Sequence, residues 1–157
     1  VGEVDRPAVE DAPPPKAVLR LVNPLLVALL RSPLHRLASK NLMLLTVTGR
    51  KSGRTYTLPI GRHEEPDGTF VLSAGGNWRH NLRGGADVRV TLDGRERVGH
   101  ATLEEDPTRA AEVFKGLLDH AGPRAVGVKV NVSHSPSSDE IKPALADRGV
   151  AYLKLSD

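Results

Sequence analysis

Cysteine is absent from this chain of 157 residues. Disulfides, iron–sulfur clusters, thiolate zinc sites and cysteine nucleophiles are thereby excluded. Aromatic side chains are scarce: Tyr56, Phe70, Trp78, Phe114 and Tyr152 make up 3% of the sequence. So few rings cannot build the stacking platforms that read single-stranded nucleic acid, and no nucleic-acid partner is expected. The six histidines, at 35, 63, 80, 100, 120 and 134, do not fall at metal-ligand spacing, so no metal site is expected. Also missing are G-x-G-x-x-G, G-x-x-x-x-G-K-[ST] and G-x-S-x-G. Neither a dinucleotide fingerprint, a P-loop nor a nucleophile elbow is present, and a cofactor must supply any redox reactivity.

Negative charge is missing over a long block. Nine Lys/Arg and no Asp or Glu lie between Ala12 and His63, although the chain as a whole carries only +3. A block of one sign points to an anionic partner, such as a phosphorylated cofactor or an anionic membrane surface. The plainer alternative is a solvated basic face balanced by acids elsewhere in the fold.

Residues 1–16 are polar and proline-rich without a hydrophobic period. They read as a disordered tail, dispensable for folding, that precedes a single domain over 17–157. Residues 17–39 are strongly apolar, but their longest uncharged run, Leu21 to Leu30, is ten residues. A spanning helix needs roughly 20. Two short helices are expected, one opened by Asn23-Pro24 and one by Ser32-Pro33. They cover the body of the domain or, as the sharper alternative, touch a membrane peripherally.

From residue 42 the hydrophobic period becomes two. Strands are expected at 42–48, 55–62, 69–75, 88–92, 96–103 and 150–155. Pro59 places the second of these at an edge or a bulge, and Asp93-Gly94 closes a hairpin. Residues 77–85 read as a short helix. Asp106-Pro107 and Gly122 bound a longer one, and Ser137 or Ser138 starts another. Residues 123–136 stay unassigned. The class is mainly β with α, an antiparallel barrel or sandwich of about six strands with N-terminal, central and C-terminal helices.

Two loops carry the chemistry. Thr48-Gly49-Arg50-Lys51-Ser52-Gly53-Arg54 joins two strands. Its glycines permit an inward-facing nest of amides, and its cations suit a phosphate. The second is Gly75-Gly76 followed by Trp78-Arg79-His80-Asn81-Leu82-Arg83. As a helix it would set Arg79 and Arg83 on one face, where like charges call for an anion.

LLTVTGRKSGRTYTLPIG, then FVLSAGG, then NWRHNLRGGADVRV, resembles the deazaflavin-dependent nitroreductase and quinone reductase family. The resemblance covers residues 20–105 and implies a split β-barrel and the coenzyme F-420. It implies that Gly49, Arg50, Lys51, Ser52, Gly53 and Arg54 hold the coenzyme's phosphate and acidic tail. Pro59 and Ile60 would pass its ring, Ser73, Ala74, Gly75 and Gly76 would edge it, and Trp78, Arg79 and Asn81 would follow in the next helix. The chain departs from the family where Gly76-Asn77-Trp78 is contracted, where Ala74 replaces a basic residue, and where a tyrosine-rich C-terminal segment is not recognisable.

The expected activity is hydride transfer from the reduced coenzyme to a quinone, an enone or a nitro compound. Ser73 is the expected hydrogen-bond donor to the acceptor, ahead of His80 and Tyr56. FMN is the alternative cofactor. A non-catalytic carrier of a cofactor or lipid is the alternative class. A homodimer is expected by resemblance, in the cytoplasm or at the inner face of a membrane.

Overall fold

The computed structural model describes residues 7–13 and 15–156. Its centre is one antiparallel sheet of six strands: β2 (Leu42–Thr48), β3 (Thr55–Gly61), β4 (Phe70–Ala74), β5 (Ala86–Leu92), β6 (Arg95–Leu103) and β8 (Gly149–Leu155). They stand in the order β3-β2-β5-β6-β8-β4. The sheet curls into a half-barrel and brings its two end strands together. Residues 62–69 tie those ends, with the amides of Val71 and Glu65 donating to the carbonyls of His63 and Thr69.

Alternation explains these strands. Met43, Leu45, Val47, Phe70, Leu72, Val88, Val90 and Leu153 fill the inside of the barrel, as period-two side chains on one face must. Pro59 sits on β3, which among the described residues is an end strand paired with β2, so its missing amide hydrogen costs no bond on the free side. Asp93 and Gly94 turn the β5–β6 hairpin with φ of 50° and 77°, the paired positive values that a two-residue turn demands.

A second core lies outside the sheet. Helix α2 (Pro107–Ala121) starts where the Asp106 carboxylate accepts from the Thr108 amide at 3.0 Å. It buries Ala110, Ala111, Phe114, Leu117 and Leu118, one stripe of a 3.6-residue period. This stripe meets Val71, Val150 and Ile141. Ile141 ends the short helix Ser138–Ile141, which Ser137 and Glu140 cap reciprocally.

The structure corrects the reading of the N-terminal segment. Residues 9–11 are not a disordered arm: they form β1 (Val9–Asp11), antiparallel to β7 (Val128–Val130). Val9 is buried in the outer core, so the segment is part of the domain. Residues 1–6 of the expected tail lie outside the described residues.

The helix starts differ as well. Helix α1 (Lys16–Arg31) runs straight through Asn23 and Pro24. Pro24 is exposed and removes one helical hydrogen bond, and the apolar contacts of Leu30 and its neighbours hold the helix regardless. Ser32 caps the following 3₁₀ turn, Pro33–Leu37, as expected.

Candidate functional site

Strand β2 ends in the loop of residues 49–54, and β4 in a loop that winds into a 3₁₀ turn, Asn77–Leu82. The two are fastened together. The Arg50 amide donates to Asn81 Oδ1 at 3.0 Å, and Asn81 Nδ2 donates to the Trp78 carbonyl at 3.0 Å. The Arg50 guanidinium donates to the carbonyls of Arg83 and Gly85. Within the first loop, the amide of Gly53, at φ 69°, closes onto the Gly49 carbonyl at 2.9 Å. Among the described residues, the amides of Lys51 and Ser52 have no internal partner, and Lys51 makes no ion pair.

Between the loops lies a cavity of about 590 Å³ lined by Gly49, Arg50, Lys51, Ser52, Tyr56, Asn77, Trp78, His80 and Asn81. A second cavity, of about 550 Å³, shares Tyr56 and Trp78 with the first. It follows β3 past Pro59 and Ile60 to Ser73, Gly75 and Gly76. Leu19 and Asn23 of α1 close one side, and His63, Val126 and Arg148 form the far wall. The two spaces adjoin and are taken together as one groove: the basic loop of residues 49–54 lines the first compartment, and β3 with the Gly75-Gly76 loop lines the second. A further cavity of about 630 Å³, lined by Val71 and Tyr152 among others, shares no residue with this groove.

Eleven of the fifteen expected cofactor residues line the groove: Gly49, Arg50, Lys51, Ser52 and Asn81 in the basic compartment, Pro59, Ile60, Ser73, Gly75 and Gly76 in the other, and Trp78 in both. Four do not. Gly53 and Arg54 face solvent at the loop's far end. Ala74 is fully buried, on the barrel side of β4 with Phe70 and Leu72. Arg79 is buried, its guanidinium donating to the Gly76 carbonyl at 2.7 Å and the Ala146 carbonyl at 3.5 Å. The turn is 3₁₀ rather than α, and Arg79 and Arg83 do not share an anion-facing side.

Ser73 is also engaged. Its hydroxyl donates to the Val126 carbonyl at 2.8 Å and accepts from Arg148 Nη2 at 2.8 Å. A serine has one hydrogen to give, so this one is not available to an acceptor molecule. Arg148 in turn donates to Asp11 at 2.6 Å and to the Gly127 carbonyl at 3.1 Å. Sequence reading missed both Arg148 and His63. Neither stands in a motif: the pairing of Ser73 with Val150 brings Arg148 to the groove.

Two imidazoles border the groove. Burial, then the positive charge of His120, lowers the His63 pKa below its ordinary value. Partial burial, then Arg79 and Arg83, lowers that of His80.

A family model, F420H2-dependent quinone reductase, matches residues 32–124, which contain both loops and the strands that carry them. The chain belongs to that family. It is an oxidoreductase, and coenzyme F-420 is its cofactor. Among solved structures, an F420-H2 dependent reductase (FDR-A) is 21% identical over 73% of this chain and 95% of that one, with a TM-score of 0.49. A domain-swapped dimer is 20% identical over 73% and 81%, with a TM-score of 0.47. No protein of curated function matches the chain.

The residues of this F-420-dependent reductase fit such a group. The deazaflavin coenzyme is long, flat at one end and polyanionic at the other, and the groove has one compartment for each end. Two buried polar atoms, His63 Nε2 and Arg148 Nε, have no hydrogen-bond partner among the described residues and belong to residues that line the second compartment. Unpaired buried donors are costly, which suits a site completed by a polar ring. Gly75 and Gly76 form a cradle: a Cβ on Gly75 would sit 2.7 Å from Arg148 Nη1, and one on Gly76 2.9 Å from Trp78 Cδ1.

Proposed function

We propose that the basic compartment holds the phosphate and acidic tail of F-420 through Arg50, Lys51 and Ser52. The ring lies against Pro59, Ile60 and the Gly75-Gly76 backbone, and the acceptor is a conjugated carbonyl compound, a quinone or an enone. The observation that carries this reading is the pair of adjoining cavities that share Tyr56 and Trp78, one lined by the basic loop and the other by Pro59, Ile60, Gly75 and Gly76. Lys51 and the open amides of residues 51 and 52 supply charge-assisted hydrogen bonds to an anion.

The reduced coenzyme supplies a hydride, and a proton from solvent completes a two-electron reduction of the acceptor. The chain's part is placement and polarisation. Leu19 and Ile60 provide apolar walls for the acceptor. Ser73 ties Arg148 to the Val126 carbonyl and has no hydrogen left for the acceptor. Tyr56, 45% exposed at the junction of the compartments and 3.4 Å from Ser52 Oγ, has a hydroxyl free to turn to a carbonyl oxygen. Tyr152 cannot serve. Its hydroxyl donates to Glu104 at 2.9 Å, and burial with that carboxylate pushes its pKa up to about 12.

The test is a fluorescence titration with F-420 and with FMN, followed by anaerobic turnover of a quinone, an enone and a nitroimidazole. F-420 should bind at least about tenfold more tightly than FMN, a difference of about 1.4 kcal/mol, and the carbonyl acceptors should be reduced. Tighter FMN binding would overturn the cofactor assignment. Reduction of the nitroimidazole alone would overturn the acceptor class.

A further inference from the structure

Helix α1 has two apolar sides. Leu19 lines the groove and Leu30 is buried. On another side, Val18, Leu21, Val22 and Leu25 recur at i, i+3, i+4 and i+7, with 40–73% of each exposed. The 3₁₀ turn that follows adds Leu34 at 64% and Leu37 at 78%. Among the described residues eight large hydrophobic side chains are exposed, and six of them are these. An apolar surface concentrated in one segment marks an interaction site rather than ordinary surface scatter.

A basic cleft borders this surface. His35 and Arg36, which lie between Leu34 and Leu37, line a cavity of about 820 Å³ together with Lys40, Arg95 and Arg97. The cleft's acid, Asp93, is taken by Arg62 at 2.8 Å. Among the described residues, Arg36, Lys40, Arg95 and Arg97 make no ion pair. Four unpaired cations around one cavity repel one another unless an anion enters.

We propose that α1 and the following 3₁₀ turn dock on a bilayer surface containing anionic phospholipid. The exposed leucines and valines enter the acyl boundary, and the cleft takes headgroup phosphates. No helix among the described residues is long and apolar enough to cross a membrane, so α1 lies in the plane of the surface. Charge decides against a second copy as the occupant. A twofold dimer places a patch on itself, and the cleft's carboxylate, Asp93, is already held by Arg62, so cations would face cations. An anionic surface complements both the leucines and the charge. Because Leu19 and Asn23 belong to the docking helix, the groove would sit beside the lipid.

The proposal is tested by sedimentation of the full chain with phosphatidylcholine vesicles, with and without about one third phosphatidylglycerol. Binding should be at least about tenfold stronger to the anionic vesicles and should weaken with salt. The R95A/R97A variant should lose about fivefold per charge removed. L21S/L25S should lose at least about tenfold through lost insertion. Both variants should keep the parent's melting temperature, since all four side chains are exposed, and its F-420 affinity, which separates this result from the cofactor assignment. Equal binding to both kinds of vesicle, or binding to neither, would overturn the proposal. So would a dimer by sedimentation velocity that L21S/L25S disperses while vesicle binding is absent, an outcome that assigns the face to a second copy.

Discussion

The loops after β2 and β4 look alike as sequence: each has two glycines and two or more cations within a few residues. Folded, they use charge in opposite ways. The loop of residues 49–54 leaves Lys51 unpaired beside open amides at the mouth of a cavity. The loop after β4 turns Arg79 inward, where the carbonyls of Gly76 and Ala146 hold it, and its Gly75 lies against the buried Arg148. A guanidinium has five N–H donors, and burying it calls for backbone or side-chain acceptors such as those that hold Arg79 and Arg148. Buried arginine is thus a fastener between segments, and exposed lysine is a free charge for a ligand. Nothing in the spacing of Gly and Arg distinguishes them.

Breaking the fastener should give the largest effect. Arg148→Met leaves Asp11 without its cation and Ser73 without its donor, and should cost about 3–5 kcal/mol in urea unfolding. Removing residues 1–11 deletes Val9, Asp11 and all of β1, and should destabilise by a similar amount. A cost below about 1 kcal/mol for both would mean that Arg148 is not a structural tie. The ligand-facing loop should behave in reverse. Arg50→Ala with Lys51→Ala should weaken F-420 binding by about 2–4 kcal/mol, with a flatter salt dependence, while apo stability changes by no more than about 1 kcal/mol. Calorimetric titration at two salt concentrations reads this, and equal affinities would remove the phosphate assignment. Asn81→Ala cuts the tie between the loops and should cost about 1 kcal/mol of stability, measured by thermal melting.

The smallest effect is a pH slope. His63 binds a proton less readily in the fold than in the unfolded chain, chiefly through burial. Below its ordinary pKa of about 6.5 the unfolded chain therefore holds more protons, and stability falls as pH drops through that window. His63→Phe should flatten this slope between about pH 7 and pH 5. An unchanged slope would place the titration elsewhere.

The barrel strands were legible because each buries one face, which writes period two into the sequence. Six expected strands match within two residues at either end. Helix α2 was legible from its cap residues. Strands β1 and β7, three residues each, are too short to carry a period. The start at Asn23-Pro24 was misread because local capping preferences ignore what α1 packs against. At the site, the first loop was legible because its cations are contiguous. Arg148 and the engagement of Ser73 were not, since both follow from a pairing between β4 and β8 that brings together residues far apart in sequence.

That same pairing has a consequence for how the chain matures. Strand β8, near the C-terminal end of this sequence, sits between β6 and β4, and among the described residues it is the strand with which β4 forms its ladder. As the polypeptide emerges from N to C, Phe70 must wait for Leu153, and β6 keeps an open edge for most of that interval. Such unpaired edges are where nascent chains aggregate. Of the strands in this sheet, the one made last is therefore the one that closes it, and shortening it should yield an insoluble product rather than a weakened enzyme.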